Sequence, residues 1–221
     1  GDYHLLRAQV CAAERDLQGE EDQLRGALRA DPSLTDASLR LAQILTGRGL
    51  WQEATDVLRS AIEANPGDVR SRLLLADLLT SQRRPHGAVS VLLQALEVQP
   101  EDTRVLAALG AVYERLGEFS EAREAYRRAA AAVKEPRRET YLLKVADLSA
   151  ACGDYVRAYQ EYRAVVKQDK EIAPALYARI ARATDEAVWG LLGPAWEALE
   201  RYESGGPDGP VREEVYAAVS Q

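Results

Sequence analysis

Methionine is missing from this chain altogether, and phenylalanine, asparagine, histidine and cysteine are nearly so: one Phe, one Asn (Asn65), two His and two Cys in 221 residues. Each scarcity removes a class of function. The only histidines, His4 and His86, stand in no metal-binding or catalytic motif, and no H-E-x-x-H, P-loop, dinucleotide fingerprint or nucleophile elbow occurs anywhere. The glycines at 47 and 49 sit at turn positions, and the cluster at 205–209 precedes no strand. No catalytic residue, metal site or cofactor is therefore expected. No apolar run approaches the roughly 20 residues a bilayer-spanning helix needs, so a membrane is not an expected partner. Positive charge is not in excess either. The formal net charge is -7, with both signs mixed along the chain, and nucleic acid needs a basic stripe that this chain does not have.

The opening Gly1-Asp2-Tyr3-His4 lacks the basic start and apolar core of a signal peptide. With no methionine at its head, the chain is expected to be a processed or partial one. Lysine and asparagine are rare beside arginine and alanine, a bias that points to a GC-rich, bacterial genome. Unpaired cysteines favour a reducing compartment, so the cytoplasm is expected over the periplasm.

What the chain does have is a period. Pro32, Pro66 and Pro100 stand 34 residues apart, and Ala27, Ala61, Ala95 and Ala129 keep the same step. A second row of small residues runs Ala8, Ala42, Ala76, Gly110, a third runs Ala54, Ala88, Ala122, and a bulkier row runs Leu24, Leu58, Leu92, Tyr126. Small residues let two helices approach while leucine and tyrosine interleave between them. Gly49, Gly117 and Gly153 suit the left-handed residue that ends a helix, and the three prolines end each second helix.

This lattice resembles the tetratricopeptide repeat family, whose unit of about 34 residues is a helix–turn–helix. The stretch from Thr103 carries the pattern most fully, with Leu106, Leu109-Gly110, Tyr113, Gly117, Phe119, Ala122, Tyr126 and Ala129; the stretches from Thr35, Val69 and Glu139 follow it, and a degenerate copy opens the chain. The implied fold is all-α, a right-handed α-solenoid. Its expected organisation is five repeats at 1–34 (degenerate), 35–68, 69–102, 103–138 and 139–172, an atypical capping pair at 173–203, a Gly/Pro linker at 204–209 and a C-terminal helix at 210–221. After Ala129 the lattice slips by two residues, which should lengthen a helix or alter the local superhelix. Cys11 and Cys152 fall in the first and fifth repeats. With helices packed about 8–10 Å apart, they are too distant for a disulfide, which needs Cα atoms within about 7 Å.

In the family, the first helix of each pair lines a concave wall, through places 2, 5, 9, 12 and 13 of the unit. The resemblance carries these onto Asp2, Asp36, Arg70, Arg104 and Thr140 at place 2, and Leu5, Leu39, Leu73, Ala107 and Leu143 at place 5. Place 9 gives Gln9, Gln43, Asp77, Ala111 and Asp147, and place 13 gives Ala13, Gly47, Ser81, Arg115 and Ala151. A row of leucines among small residues makes a groove for the apolar face of a helix or peptide from another protein, with Arg70, Arg104 and Arg115 placed to pair with its carboxylates. The alternative for the leucine row is ordinary core. The expected contact set is Leu39, Gln43, Arg70, Leu73, Asp77, Arg104, Ala107, Arg115, Leu143 and Asp147.

The carboxylate clamp of chaperone-tail receptors is not expected, because the first helices hold no asparagine and Lys144 is their only lysine. Arg127, Arg128, Lys134, Arg137 and Arg138 form a secondary basic patch, readable as a contact for an acidic partner or lipid headgroups, or as a solvated turn. Trp51 takes the place of Leu17, Phe119 and Tyr155 and reads as packing. A non-catalytic adaptor or scaffold is the leading reading. Two alternatives are self-association, end to end or through the C-terminal helix, and a regulatory subunit holding a folded enzyme or small GTPase by an outer surface.

Overall fold

The computed structural model describes residues 2–133, 137–168 and 179. The elements found there are ten α-helices: α1 (Asp2–Glu14), α2 (Leu17–Ala30), α3 (Thr35–Gly47), α4 (Trp51–Ala64), α5 (Val69–Ser81), α6 (Pro85–Val98), α7 (Thr103–Leu116), α8 (Phe119–Ala132), α9 (Arg137–Ala151) and α10 (Tyr155–Gln168). Consecutive helices pair as antiparallel hairpins, α1 with α2 through α9 with α10.

The hairpin turn is the same in all five pairs, and its cause is local. One residue takes a left-handed backbone at each lattice position: Arg15, Gly49, Arg83, Gly117 and Gly153, with φ of 60°, 76°, 59°, 77° and 79°. The next residue then donates its N–H back to a carbonyl five residues earlier, Asp16 to Cys11, Leu50 to Leu45, Arg84 to Leu79, Glu118 to Tyr113 and Asp154 to Ser149, at 2.9–3.0 Å. These bonds satisfy carbonyls that the helix end would otherwise leave open. Glycine adopts the required φ without strain; Arg15 and Arg83 do not. Between pairs, the second helices end one residue short of a capping residue, Asp31, Asn65 or Gln99, with Pro32, Pro66 and Pro100 next in line. Asp68 and Asp102 then cap α5 and α7, each accepting from the backbone N–H two residues on.

The chain divides into two compact units, Gly1–Ala132 and Val133–Gln221. The division falls where the lattice slips. The two surplus residues are taken up in α9, which runs 15 residues and starts two residues ahead of the lattice position Glu139. In the first unit the small rows and the leucine row interlock as the sequence requires. Ala8, Ala42, Ala76, Ala27, Ala61, Ala95, Ala129, Leu24, Leu58 and Leu92 are all buried. Among the first helices α5 meets both α3 and α7, while no comparable contact joins α2, α4, α6 and α8. In the second unit, Ala146, Ala158, Tyr162 and Val165 form the core between α9 and α10.

The capping pair expected at 173–203, the linker at 204–209 and the helix at 210–221 lie outside the described residues, apart from Arg179. Among the described residues no helix is long and apolar enough to cross a membrane.

Candidate functional site

Because α3, α5 and α7 lie side by side, residues that repeat with the lattice line up across them. A hollow of about 480 Å³ opens between α3 and α5, walled by Asp36, Leu39, Arg40 and Gln43 on one side and Arg70, Leu73, Leu74 and Asp77 on the other. These are places 2, 5, 6 and 9 of two successive repeats. A second hollow of about 180 Å³ continues between α5 and α7, lined by Leu73, Ala76, Asp77, Thr80, Leu92, Ala108, Ala111, Val112 and Arg115. Leu73 and Asp77 belong to both, so the two form one trough across three first helices.

Leu39 and Leu73 are half-buried. They differ in this from Leu41, Leu45 and Leu75, which are buried in the core of the same helices. Part of each place-5 side chain thus packs on its neighbours and part faces the trough. Leu143, in the second unit, is also half-buried and packs on the core of its own pair. Ala107 and Arg104 line neither hollow.

The charges divide into engaged and open ones. Arg70 donates to Asp36 at 2.7 Å. Arg104 turns back onto Asp102, with Nε and Nη2 at 3.1 and 2.6 Å, and this bond holds the Asp102 carboxyl below its usual range. Arg40 makes a bidentate bond to buried Glu20 of α2, at 2.6 and 2.8 Å. Arg115 donates instead to the Thr80 carbonyl at 3.5 Å, in the last turn of α5, where a cation suits the helix dipole. Among the described residues Arg115 has no carboxylate partner, and the carboxylate of Asp77 has no partner. The trough therefore offers one open acid, one open base and two half-exposed leucines.

Asp147 sits in the second unit and is occupied. It accepts from the Tyr162 hydroxyl at 2.6 Å and pairs with Arg179 at 3.0 Å. Burial, then the hydrogen bond to Asp147, pushes the Tyr162 phenol well up. Of the basic patch, Arg127 pairs with Glu124 at 2.7 Å and Arg128 donates to the Pro100 carbonyl at 2.9 Å. Arg137 and Arg138 are exposed at the start of α9, and Lys134 lies outside the described residues. Neither cysteine is in a disulfide; Cys11 is buried and Cys152 exposed.

Sequence reasoning missed two features. Trp51 opens α4 as an exposed residue, as Leu17 and Phe119 open α2 and α8. A third cavity, of about 540 Å³, opens between α2 and α4 over an apolar floor of Leu28, Leu41, Val57 and Ala61, with Arg25, Arg29 and Asp56 among its other lining residues. The splay of the second helices makes this gap, and no single repeat's sequence signals it.

Comparisons with known proteins agree on the scaffold. Tetratricopeptide repeat family models match residues 35–78, 73–136 and 112–174. No curated protein matches. Among solved structures, the MamA protein is similar at 17% identity, with a TM-score of 0.64 over 78% of this chain and 93% of that one. A tetratricopeptide repeat protein from Parabacteroides merdae is similar at 18% identity, with a TM-score of 0.62 over 99% of this chain and 83% of that one. YrrB, described as a TPR protein with an unusual peptide-binding site, is similar at 18% identity, with a TM-score of 0.58 over 78% and 88%. At such identities the likeness is one of fold. Taken together, the family's repeat matched over more than half the sequence and five helix hairpins closed by one repeated turn place this chain in the tetratricopeptide repeat family.

Proposed function

We propose that the chain is a non-catalytic protein-interaction module that takes a helix or peptide segment of another protein in the trough across α3, α5 and α7. The observation that supports this most directly is the position of Leu39 and Leu73, half-buried in one hollow with Gln43 and Asp77 beside them. Burying a leucine fully contributes about 1.5–3 kcal/mol, so completing two half-buried ones supplies about that much in total, and the ligand's own buried apolar face and the polar anchors supply the rest against the association cost. Asp77 and Arg115 set the direction of the bound segment, one favouring a basic and the other an acidic side chain on it.

A peptide selected against the immobilised full chain from a library of amphipathic helices provides the test. On binding, it should slow backbone hydrogen exchange across α3 and α5. Leu39→Asp with Leu73→Asp should abolish binding while the helical circular dichroism persists. If that double variant unfolds, the leucine row is core and the proposal fails; it fails equally if exchange slows only elsewhere.

A further inference from the structure

The two hollows of the trough differ in depth, and the sequence of α7 is the cause. None of the residues walling the hollow between α3 and α5 is buried. The hollow between α5 and α7 has exposed Asp77, Ala111 and Arg115 at its rim, but it reaches down to Ala76, Thr80 and Leu92, all buried. It therefore opens a way past the first helices to a leucine of α6. One lattice step accounts for the difference. Where α5 carries Leu74 and Asp77, α7 carries Ala108 and Ala111, and each exchange withdraws side-chain atoms from the gap.

The floor of this hollow is apolar, and the Thr80 hydroxyl already donates to the Ala76 carbonyl at 2.7 Å. Water entering there finds few partners. The volume is about 180 Å³, close to the roughly 150 Å³ of an apolar cavity that holds one benzene molecule. At the rim the Arg115 guanidinium is held beside the hollow by the Thr80 carbonyl, 3.5 Å from Nη2. A guanidinium next to an apolar well favours an aromatic ring over an aliphatic chain, because the π face attracts the cation. We propose that this hollow is the specificity pocket of the trough and receives one phenylalanine side chain of the bound segment. The inference rests on the trough reading for the nature of the ligand and adds the residue that anchors it. Phenylalanine fits better than tyrosine, since the apolar floor gives a phenol hydroxyl little to bond. Asp77 and Arg115 flank the ring, so a basic residue on one side of it and an acidic one on the other complete the motif.

The probe is the capped tripeptide acetyl-Lys-Phe-Glu-amide with a 4-fluorophenyl ring, titrated with the full chain and followed by fluorine NMR. Saturable binding of about 0.1–1 mM is expected. The leucine counterpart, measured by competition, should bind roughly two- to fivefold more weakly. Ala108→Leu gives α7 the residue that α5 has at the same place, so the fold should survive while the hollow closes. Ala111→Leu closes it from an exposed position at the rim. Each should lower affinity by about tenfold or more, with helical circular dichroism unchanged. No saturable binding, equal affinity for the leucine peptide, or binding undiminished in either variant overturns the proposal. Hydrogen exchange under a selected amphipathic helix reads the trough separately. A helix that protects α3 and α5 equally in wild type and in both variants leaves the trough standing and overturns the phenylalanine pocket. Tripeptide binding that both variants abolish, with no helix protecting α3, sustains the pocket and removes the longer groove.

Discussion

Arg70 and Asp36 occupy the same register position in consecutive repeats, 34 residues apart, and their side chains meet at 2.7 Å across the mouth of the trough. Both stand well out in solvent, at 55% and 85% exposure. An exposed pair of this kind is worth about 0–1 kcal/mol, so the bond directs Arg70 more than it stabilises the fold. A ligand carboxylate can compete for the guanidinium at little cost.

Asp36→Asn should therefore leave the urea midpoint almost unchanged, within about 0.5 kcal/mol, while releasing Arg70. An acidic amphipathic peptide bound in the trough should tighten roughly two- to fivefold, and the gain should shrink as salt is added. If Asp36→Asn weakens such a peptide, Asp36 itself is a contact and the arginine is not the anchor.

Gly110 and Tyr126 form a pair that the lattice explains. In the two preceding hairpins the small place holds Ala42 or Ala76 and the bulky place opposite holds Leu58 or Leu92. Here tyrosine replaces leucine and glycine replaces alanine. A Cβ at Gly110 would lie 2.8 Å from the Tyr126 ring atoms Cε2 and Cζ, and that ring is buried. Gly110→Ala should cost about 1–3 kcal/mol by overpacking, despite alanine's better helix propensity. Gly110→Ala with Tyr126→Leu recreates the earlier pairing, so a double-mutant cycle should show a favourable coupling of about 1 kcal/mol. Additive losses would mean the two positions do not compensate each other.

The repeated turn gives a prediction of the opposite sign. Arg83 takes the left-handed backbone that Gly49, Gly117 and Gly153 take at the same position. A residue with a Cβ is strained there by about 1 kcal/mol or more, and glycine recovers most of that after its greater freedom in the unfolded chain is counted. Arg83→Gly should stabilise the protein by roughly 0.5–1 kcal/mol, and Gly117→Arg should lose a similar amount. Thermal midpoints of the two variants check both directions at once; a drop for Arg83→Gly would show the turn gains from the arginine side chain.

The sequence made the helices legible because their limits are set by local chemistry that repeats: a proline after α2, α4 and α6, a small residue against a large one, and a glycine at three of the five turns, while the left-handed Arg15 and Arg83 carried no such signal. The half-exposure of Leu39 and Leu73 was legible only as a choice between groove and core, since period alone does not say how closely neighbouring first helices approach. The fate of the arginines was not read, although its signals were present. Asp36 stands one lattice step before Arg70, and Asp102 stands two residues before Arg104 at a cap position. Long side chains choose among partners by small energy differences in three dimensions, and a register table holds no such information.

Asp102 joins a cap and an ion pair in one carboxylate. It accepts the Arg104 backbone N–H at 2.9 Å and the Arg104 guanidinium at 2.6 and 3.1 Å, and the side-chain bond is the main reason its pKa is lowered. A carboxylate whose pKa is lower in the folded state favours folding fully above its unfolded value, about 3.9. That contribution fades as pH falls through the lower, folded value, when the proton finally binds in both states. At neutral pH, Asp102→Ala removes the cap of α7 and should cost about 1 kcal/mol; Asp102→Asn keeps an acceptor for the N–H and should cost less. Arg104 is mostly exposed, so screening limits what its charge adds. The stability gap between wild type and Asp102→Ala should hold from neutrality down to about pH 5 and then narrow below about pH 4. Urea midpoints taken across that range decide the matter: a gap that stays constant into acid would mean that shape, and not the ionised carboxylate, holds the start of α7.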